Sequence, residues 1–198
     1  MPSPGEGGSA RARPRHCRVR NAAANLAFLR CSCYIETVIG ADDFRKVLSH
    51  FASGVTIVTT SDGDKRPAGL TCSSFASVSL DPPLILVCVD HKAQCFPALR
   101  ESGRFTVNIL SATQEAVSRR FATSKILDKF EGVAHTMTDL GLPLLHDALA
   151  HLECTTVNKH VEGDHTIFVG RVERISVPGG EPLLYYKGRY EKLAGSGA

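Results

Sequence analysis

The chain of 198 residues lacks the short motifs that usually announce a nucleotide phosphate site. No G-x-x-x-x-G-K-[ST] and no G-x-G-x-x-G occurs, so neither a P-loop nor a dinucleotide-binding βαβ turn is encoded. C-x-x-C is absent too, and the seven cysteines, Cys17, Cys31, Cys33, Cys72, Cys88, Cys95 and Cys154, are odd in number. With no N-x-[ST] sequon either, this argues against a disulfide framework and for reduced thiols in a cytoplasmic protein. Cys31 and Cys33 have no matching His/Cys pair, which argues against zinc, and no metal is expected. No apolar run reaches the length of a membrane-spanning helix, so no membrane role is expected. The run from Ala22 to Leu29 contains Asn25 and stops at Arg30, which makes a poor signal peptide.

Positive charge is scarce where a nucleic-acid surface would need it. Residues 1–40 hold six Arg and no Lys against Glu6 and Glu36, while the remainder holds 17 basic and 18 acidic residues. The formal net charge of +3 therefore belongs to an N-terminal extension, and the rest of the chain is nearly neutral, so nucleic acid is not an expected partner. The extension over residues 1–41, rich in Arg, Gly, Pro and Ala, reads as disordered rather than as a transit peptide. Residues 194–198 read as a short mobile tail. One domain is expected over residues 42–193.

What is present is a series of short, β-branched apolar runs. Asp42 and Asp43 precede Phe44, Val47, Leu48 and Phe51 at helical spacing, which predicts a helix ended by Gly54. Residues 55–60 predict a strand, residues 61–64 a hairpin turn, and the segments around 71–74 and 75–79 two more strands. After Asp81-Pro82-Pro83, the continuous apolar run 84–89 predicts a central strand. A short helix is expected at 96–101, a strand at 105–110, and a helix capped by Ser111 that runs through Gln114, Val117, Ser118 and Phe121. Long strands are expected at 149–157 and 166–177, and shorter ones at 183–186 and 189–193. At least six strands joined mostly by hairpins, with two or three short helices, make a mainly β chain. Its form is an antiparallel barrel with helical decoration rather than a doubly wound sheet.

One stretch stands out. Pro67 to Ser79, P-A-G-L-T-C-S-S-F-A-S-V-S, is small or hydroxylated at nearly every position and runs straight into Leu80-Asp81-Pro82-Pro83. At a strand edge such a segment offers free N–H groups and hydroxyls to an anionic ligand. It follows Phe51-Ala52-Ser53-Gly54-Val55-Thr56-Ile57-Val58-Thr59-Thr60. It precedes F-T-V-N-I-L, then Gly163-Asp164-His165-Thr166-Ile167-Phe168-Val169-Gly170, then Pro182-Leu183-Leu184-Tyr185-Tyr186-x-Gly188-Arg189-Tyr190. In this order and spacing the chain resembles the flavin reductase-like family with the FMN-binding split-barrel fold, over roughly residues 42–193.

The resemblance implies an antiparallel split β-barrel and an NAD(P)H:flavin oxidoreductase. Such an enzyme passes a hydride from NADH or NADPH to FMN or FAD and supplies reduced flavin to a separate oxygenase component. It implies a homodimer as well. It places Thr71, Cys72, Ser73, Ser74, Phe75, Ser77 and Val78 around the flavin. The loop carrying Lys92 and Ala93 falls against the phosphate or ribityl end. Ser118, Arg119 and Phe121 form a second cluster, in which Phe121 is a core residue, a stacking platform or both. Tyr186, Arg189 and Tyr190 cover the site, and Arg189 is a partner for a dinucleotide phosphate. His165 is the nicotinamide-side histidine, oriented by Asp164. Two other readings on the same barrel stay open: a flavin carrier without turnover, and an enzyme like pyridoxamine-phosphate oxidase.

Overall fold

The computed structural model describes residues 39–193. The expectations for the extension before Ile39, for its three cysteines and for the tail after Leu193 lie outside the described residues.

Each β-branched run forms a strand. In chain order the described chain gives α1 (Ala41–Leu48), β1 (Ser53–Gly54), β2 (Thr56–Ser61), β3 (Pro67–Cys72), β4 (Phe75–Leu80) and β5 (Pro83–Asp90). Then come α2 (Phe96–Ser102), β6 (Arg104–Ile109), α3 (Glu115–Ala122), β7 (His135–Met137) and β8 (Pro143–Leu145). The long hairpin β9 (Ala150–Glu162) and β10 (His165–Ser176) follows, and β11 (Leu184–Tyr186) and β12 (Arg189–Glu191) complete it.

Seven strands make one antiparallel sheet in the order β3-β2-β6-β9-β10-β5-β4. Its two edge strands, β3 and β4, are consecutive in sequence and joined only by Ser73 and Ser74. Three Cα–Cα steps span at most about 11 Å, so the sheet must curl until its edges nearly meet. At that seam the Cys88 amide donates to the Ser74 carbonyl at 3.1 Å. The product is a split antiparallel barrel. Beside it, β1, β11 and β12 form a small three-stranded sheet, and β7 and β8 form a separate hairpin.

The barrel interior is filled by Val58, Val87, Val89, Phe105, Val107 and Phe168, among others. A second core, built from Ile57, Leu110, Phe121, Phe130, Leu145 and Leu183, lies on the opposite side of β2. Strand β2 is thus buried on both faces, as its unbroken β-branched run requires. Tight packing fixes Gly170 on β10: a Cβ there would stand 2.5 Å from the Phe105 ring and 3.0 Å from the Cys154 Cβ.

Several expectations need correction. Strand β5 is second from the edge, not central. Its run is continuously apolar because Ile85, Val87 and Val89 enter the barrel while Leu86 and Cys88 line a cleft on the other face. Helix α1 stops at Leu48, and Gly54 belongs to strand β1. Gly40 holds the N-cap position, while Asp42 sits in the first turn and pairs with Arg45 at 3.0 Å. The apolar stripe is real but exposed, with Phe44 55%, Val47 69% and Phe51 79% accessible. Helix α3 begins at Glu115, because the Gln114 side chain, not Ser111, closes the turn by accepting the Ser111 amide at 3.0 Å.

Candidate functional site

A cleft of about 850 Å³ opens beside the barrel seam, between β4, β5, helix α1 and the β11–β12 turn. Its chemistry is divided. Phe75, Leu86 and Cys88 form an apolar wall, and Phe51 and Tyr185 add two rings. Ser53, Ser73 and Ser74 bring hydroxyls, and Arg45, Lys46 and Lys187 bring cations. A flat apolar ring with polar edges and an anionic tail matches this donor set. Small side chains at the seam are what make the cleft: bulky residues at Ser73 and Ser74 would fill it.

The expected site residues separate into three groups. Ser73, Ser74 and Phe75 line the cleft. Their neighbours do not all follow, because alternate residues of a strand face opposite ways. Cys72 points into the barrel core, and burial pushes its thiol up to about 11. The Thr71 hydroxyl is turned to α3, where it donates to the Ser118 carbonyl at 2.6 Å. Ser77 and Val78 are exposed on β4, at an irregularity in its pairing with β5.

The second group stands behind the cleft wall. The buried Ser118 hydroxyl and the Tyr190 hydroxyl are 2.9 Å apart. Arg119 lies 4.7 Å over the Tyr190 ring and is held by Glu115 at 2.7 Å. Tyr190 in turn meets the cleft residue Tyr185 edge-on, at 5.3 Å between ring centroids. This network holds a wall of the cleft rather than lining it. Phe121 is 1% exposed, with Phe130 edge-on at 5.0 Å and Gly69 packed against its ring, so the structure makes it a core residue. Tyr186 is half-buried beneath the Lys187 ammonium, and Arg189 is exposed.

The third group gathers where β5 and β10 end together. Gly163, at φ +60°, permits the tight turn that delivers His165 opposite Asp90. His165 Nδ1 lies 2.7 Å from the Asp164 carboxylate, and that bond, with the imidazole's charge, holds the Asp164 carboxyl below its ordinary range. The Lys92 amide donates to Asp90 at 2.8 Å, and the Ala93 amide to the Asp90 carbonyl at 2.9 Å. Directly paired residues share a face. His165 with Asp90 therefore continues the face that carries Cys88 and Leu86, beyond the residues that line the cleft.

Sequence reasoning missed Arg45, Lys46, Phe51, Ser53, Tyr185 and Lys187. Lys187 at φ +47° and Gly188 at φ +78° form a turn that docks on α1, with the Lys187 amide donating to the Ser49 carbonyl at 2.8 Å. The visible signal was the Arg45-Lys46 pair on the polar side of α1; what brings it to the seam is the β1–β11 pairing, which no local pattern encodes.

Residues 48–194 match the flavin reductase like domain. The reductase subunit HsaB of the flavin-dependent monooxygenase of Mycobacterium tuberculosis is 43% identical over 150 residues, or 74% of this chain and 79% of that protein. An NADH-dependent flavin reductase of Rhodococcus sp is 43% identical over 157 residues, covering 75% of this chain and 84% of its own. Among solved structures, the NADH:FAD oxidoreductase SgcE6 of Streptomyces globisporus, in complex with NAD and FAD fragments, superposes with a TM-score of 0.74. It is 38% identical and covers 79% of this chain and 94% of its own.

Proposed function

Because the chain belongs to the flavin reductase like family, we propose that it is an NADH-dependent flavin reductase that feeds reduced flavin to a separate monooxygenase component. The observation that carries this reading is the divided cleft, with hydroxyls at the barrel seam, an apolar wall and cations at the rim. Flavin, when bound, accepts a hydride from the reduced nicotinamide and carries two electrons away.

The residues contribute positioning. Ser73 and Ser74 offer hydroxyls and backbone groups to the polar edge of the ring system, while Phe75, Leu86 and Cys88 cover its apolar surface and exclude water. His165, steadied by Asp164 and on the same sheet face as Leu86 and Cys88, orients the nicotinamide. Hydride transfer needs no general base, which agrees with a cleft that holds none of the usual Ser/His/Asp geometry among the described residues.

The test is consumption of NADH in air. Protein with FMN or FAD oxidises NADH catalytically, and His165→Asn raises KM for NADH roughly tenfold while flavin affinity stays within twofold. Background oxidation with bound flavin would instead make the protein a carrier. NADPH in place of NADH gives a lower kcat/KM.

The exposed stripe of Phe44, Val47 and Leu48 on α1, with Phe51 just after it, supports a homodimer, since an apolar patch of that kind on a lone chain is costly. Light scattering then reports twice the mass of one chain. Among the described residues no helix is long and apolar enough to cross a membrane.

A further inference from the structure

Two turns meet where β5 and β10 end together. After β5 the chain turns on Asp90, whose carboxylate accepts the Lys92 amide at 2.8 Å. Between β9 and β10 it turns on Gly163 and Asp164. One residue stitches these turns to each other. The His91 amide donates to the Asp164 carbonyl at 3.0 Å, and His91 Nε2 stands 3.0 Å from the Thr166 hydroxyl. Asp164 and Thr166 are the residues on either side of His165.

The position of Thr166 gives the second contact its weight. Thr166 pairs with Val89, is 4% exposed and shares the barrel-facing side of β10 with Phe168, while His165 takes the other side. Its hydroxyl has no other hydrogen-bond partner among the described residues. Leaving a buried hydroxyl unpaired is costly, so the start of β10 is held in register with His91. The His91 ring is itself braced. Its centroid lies 4.9 Å from that of Phe96, the first residue of α2, and Phe96 meets Phe168 edge-on at 6.2 Å.

Neither contact involves the His165 ring. They fix the backbone from which that ring projects. Asp164 then fixes the ring's rotation by accepting from Nδ1 at 2.7 Å, which leaves Nε2 without a partner among the described residues.

From this we infer that His91 is a positioning residue for hydride transfer, acting through Asp164 and Thr166 to hold His165 where it orients the nicotinamide. The inference rests on the reading of His165 given above. His91 touches neither substrate nor flavin in this role, so its loss is felt at the nicotinamide alone.

The test compares wild type with His91→Ala, His91→Gln, Thr166→Val, His165→Asn and the His91→Ala/His165→Asn double variant, each in the full chain. NADH oxidation with FMN gives kcat and KM, and flavin fluorescence gives the FMN dissociation constant. His91→Ala keeps the amide bond to Asp164 and removes only the ring. It raises KM for NADH roughly fivefold, with FMN affinity within twofold. His91→Gln, whose side-chain amide reaches as far as Nε2, recovers most of that loss. Thr166→Val, which keeps the shape and deletes the hydroxyl, raises KM roughly threefold. In the His165→Asn background His91→Ala changes KM no further, because the group it positions is already gone.

A full His91→Ala effect in the His165→Asn background overturns the inference, as does equal weakening of NADH and FMN, which marks a general loss of structure. If His91→Ala does not fold, Thr166→Val takes its place in the same cycle, with the same outcomes. His165→Asn with a wild-type KM for NADH overturns the reading of His165 and this inference with it. His165→Asn with a raised KM beside His91→Ala with a wild-type one overturns the inference alone.

Discussion

At the scale of single residues, the tightest constraint is Gly170. A methyl group there would meet the Phe105 ring at 2.5 Å, and that ring is fully buried. Gly170→Ala is expected to cost about 1–3 kcal/mol, read as a lower urea midpoint, and Phe105→Leu in the same chain should recover part of it. Tyr190 separates two roles that sequence alone had merged. Tyr190→Phe removes only the bond to Ser118 and should cost about 1 kcal/mol while the ring still supports Tyr185. Tyr190→Ala removes that support as well and should weaken flavin affinity, which fluorescence titration measures. The hydroxylated segment was legible because its composition is unusual. Which of its residues face the cleft was not, because Thr71 and Cys72 are turned away by contacts to Ser118 and to the barrel core, far off in sequence. Lys92 stands beside Asp164, and Arg119 is held by Glu115 over the Tyr190 ring, placements that only the fold shows.

At the scale of elements, strands with β-branched runs announced themselves, whereas the β7–β8 hairpin did not. Each of its strands is three residues long, and its seat is made of side chains from the sheet. Thr59 donates to the Pro143 carbonyl at 2.6 Å, and Asn108 accepts the Leu145 amide at 2.9 Å. His151 Nε2 stands 2.8 Å from the Leu145 carbonyl. Local periodicity carries no trace of such long-range bonds. Asn108 is the centre of this seat, for its amide also donates to the Ile57 carbonyl at 3.0 Å. Asn108→Ala strands buried polar groups, so a loss of roughly 2–3 kcal/mol is expected, with faster hydrogen exchange at the Leu145 amide than at amides of β10. Helix α1 illustrates the opposite error: its stripe was read correctly, but nothing local says that the stripe remains exposed on one chain.

At the scale of the whole molecule, the core carries an alkaline weakness. Burial pushes the Cys72 and Cys95 thiols from the ordinary 9.0 to about 11, and burial followed by the charges of Glu173 and Glu153 pushes Cys154 to about 12. These folded-state values are raised, so the stabilisation is complete below the unfolded value. It is lost as pH climbs from 9.0 through about 11, because only the unfolded chain ionises freely there. Stability should therefore fall above pH 9, by at most about 1.4 kcal/mol per thiol per pH unit and read as a lower melting temperature, and Cys154→Ala should make the decline shallower. The barrel class was legible from hairpin-joined short strands; its curl was not, since it follows from two edge strands sharing the Ser73-Ser74 link. The pairing of β1 with β11 has a further result, since it sets Ser53 beside Tyr185. A nascent chain leaves the ribosome with Ser53 long before Tyr185, so the pocket has no far wall until translation has passed β12. A stop codon placed after Gly180 removes Tyr185 and Lys187 from the cleft lining and should yield a polypeptide that a flavin affinity column does not retain.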